Sequence, residues 1–377
     1  MKLSNDAAPQ TTEEYFERFS RGRVLERLRT IGAKATPEEL EALDADIDPL
    51  IRLGMEIDEQ TNGIRRNLYG VFHLGWQAEA NPGWPEQIAS ELEEIRQAIR
   101  TAHGAPLRYL IWAGMGGSIE DKRMYQAAGL LGEEVQFYAL DSTDPAKLKG
   151  ILADMERRSG ATLGERLRST LVVGMAMGMT SYEPVVNLEK LARIYDQEGI
   201  DARANFLYLT LPGSLLDQFA GPRGFRRVEL QPDGRNSAAG RHTGPLTKGS
   251  LYPLGLAKAD LRAWIEGTLL GQAEILTAWR LAAFLHAQGE AGRDKVTLLL
   301  PKPWAGAGLW TKQNFEESLG KSEELGIKIV IGETPKLEQY RAPKDARQDR
   351  VFLSVEFAGL RAGAARARLE KAGFPLA

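Results

Sequence analysis

From residue 107 onward the chain settles into a repeating texture that few folds can accommodate. Short, mostly apolar runs at 107–113, 135–140, 170–174 and 205–211 alternate with stretches of helical spacing, at intervals of about 30 residues. Runs that are apolar on both faces suit strands covered from both sides, and strands separated by a helix-length connection pair in parallel. The expected class is therefore α/β, built on doubly wound parallel sheets. A further short strand is expected at 228–230, and 249–261 reads as a joint into a long helix around 264–286. A second alternating set follows, with strands at 295–300, 327–331 and 351–357 and helices at 310–319 and 360–371. The apolar stub at 374–377 falls where one more strand should begin, so the second domain is expected to be shortened at its C-terminal side.

Before residue 107 the signals are helical. Thr36, Pro37 and Glu39 supply an N-cap, a first-turn proline and a capping acid. A second helix should start near Pro85, with Ile88, Leu92, Ile95 and Ile99 on one face. No strand is expected in this segment. The division predicted is a helical N-terminal segment at 1–104, a first domain at 105–260 and an incomplete second domain at 261–377.

Composition narrows the chemistry. Lys plus Arg number 48 against 51 Asp plus Glu, a formal charge of -3, which argues against nucleic acid or an anionic membrane surface as partner. The absence of cysteine excludes disulfides, zinc ribbons and thiol catalysis, and the four histidines lie too far apart to suggest a metal site. No cofactor is expected. The stretch 267–287 is broken by Gln272, Glu274 and Arg280 and reads as a buried helix. With no secretory signal at 1–10, the expected setting is the cytoplasm.

Four places carry candidate chemistry. Gly114, Met115, Gly116, Gly117 and Ser118 end a strand and open a helix; a glycine turn and free N–H groups there suit a phosphate, or simply make a tight turn. Thr180 and Ser181 follow the next strand of the set, where ligands of parallel sheets gather, although hydroxyls at that position also cap helices. Arg235 and Arg241 each follow a glycine in a polar loop and offer a cation to anionic oxygen. Glu316 and Glu317 lie in a helix before Gly320, and local physics does not separate them.

Together these motifs resemble the glucose-6-phosphate isomerase family, whose members carry two sugar-isomerase (SIS) domains, and more narrowly the isomerase half of fused transaldolase–glucose-6-phosphate isomerases. The matching stretches run in order: His73-Leu-Gly-Trp76, Gly114 to Ser118, Leu140-Asp-Ser-Thr-Asp-Pro145, Pro212-Gly-Ser214, Gly292 to Leu300, Glu317-Ser-Leu-Gly-Lys321 and Asp349-Arg-Val-Phe352. The resemblance implies interconversion of an aldose 6-phosphate and a ketose 6-phosphate through an enediolate. It implies Glu317 as the base, Arg235 or Arg241 as the cation, and Gly116, Gly117, Ser118, Thr180 and Ser181 around the phosphate. It also implies a homodimer acting on a small-molecule sugar phosphate. Two departures stand out. The family's phosphate loop, Ser-Lys-Ser/Thr-x-Thr-Thr-x-Glu, is here Ala176-Met-Gly-Met-Thr-Ser-Tyr-Glu183, without its lysine, and the family's C-terminal motifs have no counterpart. Tyr340 stands where many members have a ring-opening histidine. The alternative expectation is a sugar-phosphate-binding or catalytically degenerate relative or fragment.

Overall fold

The computed structural model describes residues 55–57, 64–66 and 78–377, apart from 133, 233, 235–240, 270–271, 321–325, 334–337, 347–348 and 357–362. The helix expected from Thr36 lies outside these residues. Strands β1 (Met55–Ile57) and β2 (Ile64–Arg66) pair antiparallel, which corrects the expectation of an N-terminal segment without strands. Three-residue strands are too short to leave an alternation that can be told from helical spacing.

The described chain forms two compact units. One comprises Asn81–Ile265 and Lys302–Ser318; the other comprises Met1–Ala80, Glu266–Pro301 and Leu319–Ala377. These limits differ from the expected 1–104, 105–260 and 261–377, chiefly because the first unit takes in a long helix at its start and an inserted piece near its end.

That long helix is α1 (Trp84–His103), which has Pro85 in its first turn and stops at left-handed Gly104. Its buried stripe is Trp84, Ile88, Leu92, Ile95 and Ile99, the face expected from spacing. There follow β3 (Tyr109–Ala113), α2 (Glu120–Ala127), β4 (Gln136–Leu140), α3 (Pro145–Ser159), α4 (Leu163–Arg168) and β5 (Thr170–Ala176). The unit continues through α5 (Glu183–Gln197), β6 (Phe206–Thr210), α6 (Leu215–Ala220), β7 (Arg226–Val228), α7 (Lys248–Leu256) and α8 (Leu261–Glu266). Local chemistry sets several boundaries. Asp144 accepts a hydrogen bond from the Ala146 N–H at 2.8 Å to start α3, and Thr162 with Glu165 makes a capping box for α4.

The five strands form a wholly parallel sheet in the order β4-β3-β5-β6-β7. All residues of β3, β5 and β6 are buried, as the two-sided apolar runs require. A Cβ on Gly174 would stand 2.7 Å from Leu188 Cδ2, so α5 approaches β5 as closely as a backbone allows. Leu188, Leu191 and Tyr195 of α5 sit in one core cluster with Ile111, Val172 and Phe206; each such leucine is worth about 1.5–3 kcal/mol of burial.

In the other unit, α9 (Gln272–Glu290) leads to β8 (Lys295–Leu299). The chain then supplies α10 (Ala307–Lys312) and a wide π-helical turn, Gln313–Leu319, whose residues up to Ser318 belong to the first unit. Strands β9 (Lys328–Val330) and β10 (Arg350–Ser354) and helix α11 (Gly363–Ala372) complete the second unit. Its parallel sheet has the order β10-β8-β9. The apolar stub lies beside β10 as expected of a beginning strand: Phe352 N–H donates to Pro375 O at 2.9 Å, and Ser354 N–H to Ala377 O at 2.8 Å.

Candidate functional site at the carboxyl ends of β3 and β5

In sequence order the strands of the first sheet read second, first, third, fourth, fifth. The connection after β3 goes to one side and the chain then returns to β5 on the other, so the loops following β3 and β5 diverge at the switch point of the sheet, where open α/β sheets bind ligands. Both sequence-predicted ligand loops begin there.

The loop after β3 tightens into a 3-10 turn, Gly116–Ser118. Gly116 has φ of 51°, in the left-handed region, and a Cβ there would lie 3.0 Å from Gln313 Nε2 and 3.7 Å from Glu317 Oε2. The glycine is thus needed for its backbone angle, while the Gln313 and Glu317 side chains reach close to it. Gly117 and Ser118 are buried. Ser118 closes the turn on itself: its hydroxyl donates to Met115 O at 2.8 Å and accepts the Met115 N–H at 3.0 Å. In this arrangement it shapes the turn rather than offering its proton outward. The Trp112 indole N–H donates to Ser118 O at 3.2 Å from below.

The loop after β5 leaves Thr180 exposed and Ser181 half-buried. Neither hydroxyl caps α5, whose N-cap position is Tyr182 with no side-chain cap bond. The helix-capping explanation for the pair is therefore not realised. Met179 O accepts the Leu215 N–H at 3.0 Å, which ties this loop to the one after β6. Met115, Met179, Tyr182 and Leu215 are all exposed, and Met177, where the resemblance implies a lysine, is half-buried.

Glu317 stands in the π-helical turn, exposed, with its Oε2 toward the Gly116 turn. Glu316 accepts from Lys312 Nζ at 2.6 Å one turn away. Of the two carboxylates that local sequence did not separate, Glu317 is the one beside the Gly116 turn. π turns recur at functional sites because the extra residue re-aims the side chains that follow. Gln313 was missed in the sequence. Its only signal is its position four residues before Glu317, which puts both on one face.

Arg235 lies outside the described residues. Arg241 opens a 3-10 helix, Arg241–Leu246, that lies against the Gly116–Ser118 turn, and the description there extends to its backbone. Tyr340 belongs to the second unit, where its ring packs edge-on against Phe352 and Phe374 at 5.3 and 5.8 Å. Its hydroxyl donates to Glu333, and burial together with that carboxylate pushes the phenol up to about 12. Among the described residues no group of three or more His, Asp or Glu could hold a metal ion, and no helix is long and apolar enough to cross a membrane.

No family model matches the chain. A glucose-6-phosphate isomerase of Parasynechococcus marenigrum (strain WH8102) is 26% identical over 306 residues, 76% of this chain and 53% of that protein. One of Synechococcus sp. (strain JA-3-3Ab) is 28% identical over 261 residues, 66% of this chain and 47% of its own length. The chain thus spans about half the length of these relatives. Among solved structures, a hypothetical protein of Thermus thermophilus superposes with a TM-score of 0.60 at 20% identity, covering 97% of this chain and 84% of that one. A glucose-6-phosphate isomerase of Chlamydia trachomatis superposes at 0.57 with 17% identity, covering 96% and 79%. The fold is shared with both.

Proposed function

We propose, from the premise that the chain is a relative of the glucose-6-phosphate isomerases, that it binds a phosphorylated hexose in the β3–β5 crevice and interconverts its aldose and ketose forms. The observation that carries this reading is the placement of the Glu317 carboxylate against the left-handed Gly116 turn at the switch point of the sheet. The reaction needs a base beside C1 and C2 of the open-chain sugar. Glu317 would take the C2 proton of glucose 6-phosphate, leaving an enediolate, and return it to C1 while the O2 hydroxyl proton passes to O1, which gives fructose 6-phosphate. Negative charge then sits on the sugar oxygens, and an arginine from the polar loop, Arg235 or Arg241, would stabilise it. The Gly116 turn would seat the ligand's backbone-facing oxygens, with Thr180 and Ser181 across the crevice.

A second reading has its own support. The exposed Met115, Met179, Tyr182 and Leu215 and the loss of the loop lysine suit a scaffold that binds weakly without turnover. Solvent exchange of the C2 proton of glucose 6-phosphate decides between the two, because it registers proton abstraction even when net conversion is slow. In an active chain Glu317→Gln should slow this exchange by about a hundred- to ten-thousandfold, whereas Glu316→Gln, which breaks a surface pair, should leave it within about twofold. No exchange in the wild type rejects the isomerase assignment, whereas equal loss in both variants, or in neither, rejects Glu317 as the base.

A further inference from the structure

Behind the glycine turn lies a charged cluster that the proposed reaction does not use. Asp121 and Lys122, adjacent on α2, are both fully buried. Lys122 Nζ donates to Asp121 Oδ2 at 2.9 Å and stands 5.4 Å from the centre of the Trp112 ring. That ring's N–H holds Ser118 O, so one face of the cluster touches the turn itself. The other face points to the segment that follows the polar loop. Ser250 of α7 donates to Asp121 Oδ2 at 2.8 Å and accepts from Tyr125 OH at 3.2 Å. A Cβ on Gly244 would lie 3.4 Å from the same carboxylate oxygen. Gly244 O in turn accepts the Thr247 hydroxyl at 2.8 Å and the Thr247 N–H at 3.0 Å, which fixes the end of the Arg241–Leu246 helix.

A buried ion pair seldom adds stability over apolar side chains of similar size, so its retention calls for another account. Burial pushes the Lys122 amine down and the Tyr125 phenol well up. The Asp121 carboxylate can only accept, so Ser250 spends its proton there and takes that of Tyr125, which sets the direction of the bonds from Tyr125 through Ser250 to Asp121. Carboxylate-centred bonds in such surroundings are strong and directional.

We propose that Asp121, held by Lys122, is a positioning residue that locks residues 241–250 against the Gly116–Ser118 turn through Ser250 and Gly244. Arg241 opens this segment, so the lock fixes the backbone that carries one of the two candidate arginines. The catalytic part of this inference rests on the isomerase reading; the positional part does not.

The test is Ser250→Ala in the full chain, which removes the tie and leaves the Asp121–Lys122 pair intact. Amide hydrogen exchange should accelerate across 241–250 while β3 and β5 keep their protection. If the wild type isomerises fructose 6-phosphate, kcat should fall about ten- to a hundredfold, the order expected when a positioned group shifts by about 1 Å, with KM within about twofold. Asp121→Asn combined with Lys122→Met, which neutralises the pair at similar volume, should give the same exchange pattern. Unchanged exchange at 241–250 in both variants, or acceleration spread evenly over the unit, overturns the proposal. An inactive wild type with the local exchange pattern present rejects the isomerase reading alone.

Discussion

Glu120 opens α2 immediately after the glycine turn, and its Oε2 is buried without a hydrogen-bond partner. Burial raises its carboxyl above the ordinary 4.5; Arg123 opposes this, and Asp141 just past the end of β4 adds to it. A carboxyl raised in the folded state favours folding while it is protonated, and that contribution is lost as pH rises through its folded value. Glu120→Gln should therefore raise the thermal midpoint at pH 7 by about 1–3 °C, with the gain vanishing below about pH 4.5. Calorimetric melts of both proteins across pH 4 to 7 check it, and a gain independent of pH would contradict the cause. Some residues of the site could be read from sequence: Gly116 from its glycine run, Glu317 from the resemblance. Others could not. A lysine on an amphipathic helix is assigned to solvent, so the buried Lys122 left no trace, and Ser118 shows its inward hydroxyl only once the turn is closed.

At the level of elements, the strongly marked pieces were legible because their chemistry is local. Asp144 with Pro145 and the stripe of α1 each specify a boundary or a face within a few residues. β1 and β2 were not, being shorter than the period that would reveal them, and neither was the π turn, because an extra residue in a helix has no composition of its own. The loop after β5 is where element and ligand meet. Met177 follows buried Ala176 and is half-buried, while Gly178 to Thr180 are exposed, so a longer charged side chain at 177 has solvent to reach. Met177→Lys should strengthen binding of glucose 6-phosphate about tenfold at low ionic strength, and the gain should shrink as salt screens the new contact. Calorimetric titration at two salt concentrations measures both effects; no gain at low salt would mean that the loop does not face the phosphate.

For the molecule as a whole, the resemblance implies a dimer, and the first unit leaves Met115, Met179, Tyr182 and Leu215 exposed. Light scattering at micromolar concentration should report twice the chain mass of 41.6 kDa, and a stable monomer would count against a working active site. The order of the units along the chain has a different bearing. Because Lys302–Ser318 belongs with Asn81–Ile265 although Glu266–Pro301 does not, the crevice and its carboxylate are encoded apart. A gene fragment ending at Ile265 carries all five strands of the first sheet and both ligand loops, yet lacks Gln313 and Glu317. On the proposed reading, recombination with a single crossover between the two units therefore cannot move the function as a cassette. What it would transmit is a receptor without a proton carrier, and inheritance of the proposed activity would require the intervening segment to travel with it.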